Sequence, residues 1–130
     1  MDTMCVDAMT IRSATAVADA RETTRAFLEA LRQPAVDPEA VDTVILVVSE
    51  LVTNALRHGG GIYTLRLTAH PDVIEVAVDD PSPQAPRMRT PDLNGGTGGF
   101  GWAMVNHLAL ATAVTRRPSG GKTVSVLLAR

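Results

Sequence analysis

Glu50-Leu51-Val52-Thr53-Asn54-Ala55-Leu56-Arg57-His58-Gly59-Gly60-Gly61 follows the apolar run Val44-Ile45-Leu46-Val47-Val48, and the reading of these residues decides the fold. With about 3.6 residues per helical turn, Val41, Val44, Ile45, Val48, Leu51, Val52, Ala55 and Leu56 gather on one broad face. That stripe is the core-facing side of an amphipathic helix. Glu50, Asn54 and His58 recur at i, i+4 and i+8 and form a polar stripe beside it. A carboxylate and a carboxamide one turn apart, at the edge of a buried face, can meet at one ligand. The same pattern also suits a solvated flank closed by Gly59 as the helix C-cap.

Upstream, Asp37-Pro38-Glu39 places an N-cap residue before a proline at the first helical position, so the helix starts there and runs to about His58. Pro34 ends an earlier helix, Thr15 to Leu31, in which Val17, Ala20, Phe27, Leu28 and Leu31 recur near helical spacing. Arg21 and Arg25 on its outer face read as solvated charges or as part of a partner surface. A short first strand is expected over residues 7–12, around Met9 and Ile11. Downstream, Ile62 to Ala69 alternates, with Tyr63, Leu65, Leu67 and Ala69 on one face. His70-Pro71-Asp72 turns the chain into a second strand, Val73 to Asp80, completing a hairpin. In that strand Ile74, Val76, Val78 and Asp80 share the apolar row. Asp80 is therefore expected to point inward, where a carboxylate is costly without a hydrogen-bonding partner. Asp79 is expected outward, as surface charge.

Residues 81–97 carry Pro81, Pro83, Pro86 and Pro91 and read as a long loop of the kind that is usually functional or disordered. Gly98-Gly99-Phe100-Gly101 then opens a helix over Trp102 to Ala109. Glycines at that place let backbone N–H groups approach a phosphate, which the helix dipole also favours, although such loops are also simply flexible. Ala111 to Arg117 and Lys122 to Leu128 are closing strands around the loop Pro118-Ser119-Gly120-Gly121. The order β-α-α-β-β-loop-α-β-β predicts an α+β two-layer sandwich. Three helices would lie on one face of a largely antiparallel, mixed sheet, within one domain over residues 1–130.

Composition narrows the function. The chain has 130 residues, enough for one domain with a real core, and its packing falls to Ala, Val, Leu and Ile because aromatics are only 3%. A net charge of −2 argues against direct nucleic-acid binding. Cys5 is the only cysteine, so neither an intramolecular disulfide nor a cysteine-based zinc site is available. The histidines His58, His70 and His107 lack metal-ligand spacing. Basic side chains are arginines apart from Lys122. No run is long enough to span a bilayer and Met1-Asp2-Thr3-Met4-Cys5 does not read as a signal peptide, so a soluble, cytoplasmic protein without a membrane partner is expected.

Taken in order, these features resemble the GHKL (Bergerat-fold) ATP-binding domain. They are Glu-x-x-x-Asn on a helix, an aspartate ending a core strand, a loop, Gly-x-Gly opening a helix and Gly-x-Thr starting the last strand. Val48-Ser49-Glu50-Leu51-Val52-Thr53-Asn54-Ala55-Leu56-Arg57-His58-Gly59 is most similar to the anti-sigma-factor serine/threonine kinase branch, and the resemblance spans about residues 10–129. It implies ATP and Mg²⁺ as cofactors. It implies that Asn54 binds Mg²⁺ through its side-chain oxygen and that Glu50 is the general base. By the same resemblance Asp80 accepts from the adenine amino group, Gly99 and Gly101 let the lid loop and the third helix approach the phosphates, and Thr123 helps hold the adenine near Asp80. His58 falls to a packing or capping role. The implied partners are a sigma factor and an antagonist protein phosphorylated on serine, and homodimers are usual in that branch. The family's Asp-x-Gly-x-Gly is replaced by Asp80-Pro81-Ser82-Pro83-Gln84, with neither glycine present. Arg87 and Arg89 in the loop read either as phosphate contacts or as solvated charges. The alternative function is a nucleotide-binding interaction module that catalyses nothing.

Overall fold

The computed structural model describes residues 3–9, 13–32, 35–58, 62–82, 101–118 and 120–130. Along the chain they form β1 (Thr3–Met9), α1 (Ser13–Ala30), α2 (Pro38–His58), β2 (Ile62–Ala69), β3 (Val73–Asp80), α3 (Gly101–Leu108), β4 (Ala111–Arg116) and β5 (Lys122–Ala129). The element order is the one that periodicity predicts. The first strand lies earlier than expected, because its extent is set by pairing with β2, from Thr3 opposite Thr68 to Met9 opposite Ile62, and not by a local apolar pattern.

The five strands run in the order β1-β2-β3-β5-β4, and every pairing among them is antiparallel. Alternation gives the sheet one apolar face. Tyr63, Leu65, Leu67 and Ala69 of β2 are buried there, as are Ile74, Val76 and Val78 of β3 and Val124, Val126 and Leu128 of β5. The helices cover this face. From α2 come Val41, Val44, Ile45, Val47, Val48, Leu51, Val52 and Ala55, and from α1 and its end Ala16, Ala20, Phe27, Leu28 and Leu31; α3 adds Val105. Each fully buried Val or Leu side chain removes apolar area worth about 1.5–3 kcal/mol, so a core with few aromatics still closes.

The start of α2 is fixed as its sequence demands. The Asp37 carboxylate accepts the Glu39 N–H at 2.9 Å, satisfying a helix-end donor, and Pro38 opens the helix. At the other end of the fold, Asn106 on α3 donates to the Trp102 carbonyl at 2.9 Å and accepts from Thr112 of β4 at 3.0 Å, which ties the third helix to the edge strand. Among the described residues no helix is long and apolar enough to cross a membrane.

Candidate functional site

Helix α2 holds Glu50 and Asn54 half-buried, one turn apart, at the border of its buried stripe. Three residues separate His58 from Ile62. Such a link spans no more than about 14 Å, so the end of α2 stays close to the start of β2. There Thr64 stands opposite Asp79, which places Asp80 at the same end of the sheet as Glu50 and Asn54. The third helix returns to this end too. A β-carbon on Gly101 would stand 2.7 Å from Oε2 of Glu50. Only hydrogen at that position admits the carboxylate to the opening of α3, where unsatisfied N–H groups attract negative charge. Glu50 and Gly101, far apart in sequence, are thus in contact.

Asp80 points inward, as its place in the apolar row predicts, and is only 4% exposed. Its Oδ1 accepts the backbone N–H of Ser82 at 2.8 Å and a hydrogen bond from Nζ of Lys122 at 3.0 Å. Lys122 is 5% exposed and also donates to the Ser82 carbonyl at 3.4 Å. A buried charge must be paired, and here the two opposite charges offset each other. The pairing follows from register, since Asp80 and Lys122 are direct cross-strand neighbours. Gly121 makes the approach possible. A β-carbon there would press on the Asp80 carbonyl oxygen and lie 2.8 Å from Cα of Pro81.

Thr123 is elsewhere. Its hydroxyl donates to Oδ1 of Asp79 at 2.5 Å, beside Arg66, whose Nη2 donates to the same oxygen at 2.7 Å. This cluster lies on the sheet face turned away from the helices, because successive strand residues point to opposite sides. The expectation that Thr123 stands beside Asp80 is therefore corrected: Lys122 occupies that place. Asp79 does face away from the core, yet it is only 9% exposed and bonded on two sides, so it is not plain surface charge. The inward place of Lys122 is carried by the strand's alternation. Counting back from Leu128, Val126 and Val124 puts residue 122 in the inward row.

Gly99, Arg87, Arg89, the loop beyond Ser82 and the side chain of His58 lie outside the described residues. Among the described residues no group of three or more His, Cys, Asp or Glu is placed to hold a metal ion. Asn54, half-buried on α2, carries an amide oxygen, a donor of the kind a hard cation takes. One protein oxygen suits Mg²⁺, which keeps several waters and takes its other ligands from substrate phosphates.

Glu50 at the opening of α3 and the inward Asp80 at the end of β3 thus lie toward one end of a helix-covered antiparallel sheet. The chain belongs to the histidine kinase-like ATPase domain family, whose sequence model matches residues 13–127. No curated protein matches it. Among solved structures it is similar to the RsbU and RsbW domains of Rv1364c from Mycobacterium tuberculosis, with a TM-score of 0.70 and 18% identity over 100% of this chain and 33% of that one. The chain thus spans about a third of the length of that two-domain chain. It is also similar to the SiaB–SiaC complex structure from Pseudomonas aeruginosa, with a TM-score of 0.63 and 13% identity over 98% of this chain and 89% of that one. A third likeness is to the histidine kinase domain of the blue-light activated histidine kinase EL346 from Erythrobacter litoralis. There the TM-score is 0.52 and the identity 21%, over 94% of this chain and 67% of that one. At these identities the likeness is one of fold. Family membership makes this an ATP-binding domain of the GHKL type.

Proposed function

We propose that the protein is a regulatory serine/threonine kinase of the anti-sigma-factor type, binding ATP with Mg²⁺ and transferring phosphate to a serine of an antagonist protein. The observation that carries this reading is Glu50 against Gly101. The carboxylate sits at the opening of α3, one turn before the amide that would hold the metal. Phosphoryl transfer asks mainly for positioning and charge stabilisation. Asn54 would hold Mg²⁺, which neutralises phosphate charge when bound. Backbone N–H groups near Gly99 and Gly101 would face the phosphates. Glu50 would take the proton from the attacking serine hydroxyl, for which a carboxylate in hydrogen-bond reach is suited. Asp80 would accept from the adenine amino group. The structures of an RsbW domain and of a SiaB–SiaC complex support a protein partner for this fold, and a sigma factor is the second partner we infer.

A second reading draws on the turn after Asp80. Pro81 and Ser82 stand where the family's first glycine motif begins, and Ser82 is buried and bonded to Asp80. A turn fixed in that way suits a module that holds nucleotide and partner without transferring phosphate.

Calorimetric titration with ATP, with and without Mg²⁺, tests the common ground, with Asp80→Asn alongside. Binding should require Mg²⁺ and weaken in Asp80→Asn by about 1–3 kcal/mol, the cost of a mismatched buried polar group. Radiolabelled ATP with a cognate antagonist then separates the readings. Labelled antagonist from the wild-type protein but not from Glu50→Ala supports the kinase. Nucleotide binding without label in the wild type supports the silent module. Normal labelling by Glu50→Ala would remove the base assignment.

A further inference from the structure

We propose that Lys122 reads the nucleotide base jointly with Asp80, donating to ring nitrogen N1 of adenine while Asp80 accepts from the 6-amino group. The inference rests on the ATP reading above and adds a residue that sets base specificity.

The donor and acceptor count points to it. An ammonium group has three N–H donors. Lys122 uses one on Oδ1 of Asp80 and a longer one on the Ser82 carbonyl, leaving one without a partner among the described residues. Asp80 receives both of its hydrogen bonds on Oδ1, so Oδ2 has none among the described residues. The pair therefore presents one open donor beside one open acceptor. The edge of adenine offers the complement, an amino donor next to the unprotonated N1. Guanine offers the reverse order, a 6-oxo acceptor next to a protonated N1.

Stability alone does not account for the lysine. The other inward positions of β5 are Val124, Val126 and Leu128, and replacing a buried ion pair by apolar residues is often neutral or stabilising. The chain's single lysine is nevertheless placed here, on the same face as the core. Thr123, which the family resemblance assigns to the adenine, is turned to Asp79 on the other side of the sheet. Lys122 fills the vacated role with a charged donor. Its charge also balances Asp80, so the neutral base enters a site without net charge.

The test is calorimetric titration of the wild-type protein and Lys122→Met with Mg²⁺ and three nucleotides: ATP, 1-deaza-ATP, in which N1 is replaced by C–H, and GTP. Wild-type protein should bind 1-deaza-ATP about tenfold more weakly than ATP, the loss of one charge-assisted hydrogen bond. Lys122→Met should bind ATP about tenfold more weakly and show no further loss with 1-deaza-ATP. The proposal is overturned if 1-deaza-ATP and ATP bind the wild type equally, if the variant keeps the same 1-deaza penalty, or if GTP binds as tightly as ATP. Should Lys122→Met fail to fold with Asp80 uncompensated, Lys122→Met with Asp80→Asn removes both charges and carries the same comparison. Failure of the wild type to bind ATP at all would instead remove the nucleotide reading, a result distinct from an unchanged analogue profile.

Discussion

Gly121 shows how narrowly single residues set this site. Any side chain there meets backbone, the carbonyl of Asp80 and Cα of Pro81, and backbone in a paired strand has little room to yield. Gly121→Ala should destabilise the protein by about 1–3 kcal/mol, the usual cost of overpacking, read as a lower denaturant midpoint. It should also weaken ATP binding, because Asp80 is what the added methyl displaces. Breaking the ion pair is costlier. Asp80→Ala leaves a buried ammonium uncompensated and should cost about 3–5 kcal/mol. The inward turn of Asp80 was legible in the sequence because three apolar neighbours fix the parity of β3. The outward turn of Thr123 was legible by the same parity, from Val124, Val126 and Leu128 of β5, but motif matching hides it: a motif fixes a residue only to within one place, and one place on a strand exchanges the two faces of the sheet.

At the scale of elements, α2 is the part whose sequence left least open. Its cap, its proline and its apolar stripe agree, and the observed helix Pro38–His58 matches the reading at both ends. The stripe is broader than the pattern suggested. Val47 is fully buried as well, since α2 packs against α1 on one flank and against the sheet on another. A helix covered on two sides should be sensitive across a wide arc, so Leu51→Ala is expected to lose about 2–5 kcal/mol in equilibrium unfolding. The contact between α2 and α3 responds differently. Gly101→Ala would crowd Oε2 of Glu50, the far end of a flexible side chain, which can swing aside. Stability should then change little. On the kinase function proposed above, phosphate transfer should fall because Glu50 has moved, and ATP affinity measured on the same variant would distinguish this from loss of the nucleotide. This juxtaposition of Glu50 with Gly101 could be read from the chain only through the family resemblance, because no local pattern says which helix end meets which.

For the molecule as a whole, the order of elements was legible and the order of strands was not. Alternation marks β2, β3 and β5 as one-sided strands, but nothing local states that β5 lies between β3 and β4 or that β1 takes the far edge. Those choices come from burying one continuous apolar face. Tyr63 links the layers that result. It is 2% exposed at the start of β2, and its hydroxyl donates to the Ala16 carbonyl of α1 at 3.5 Å. Burial, and secondarily the negative charge of Asp19, raise its pKa above the usual 10.0. Above that value the unfolded chain releases the phenolic proton while the folded chain still holds it, so the unfolded state binds fewer protons and stability falls as pH rises. The contribution is complete below the unfolded pKa and is lost as pH climbs through the raised folded one. Urea midpoints measured between about pH 9 and pH 11 should therefore decline in the wild type. Tyr63→Phe, which keeps the ring and removes the titrating group, should flatten that decline. An equal slope in both proteins would assign the alkaline loss to other groups and leave Tyr63 as packing alone.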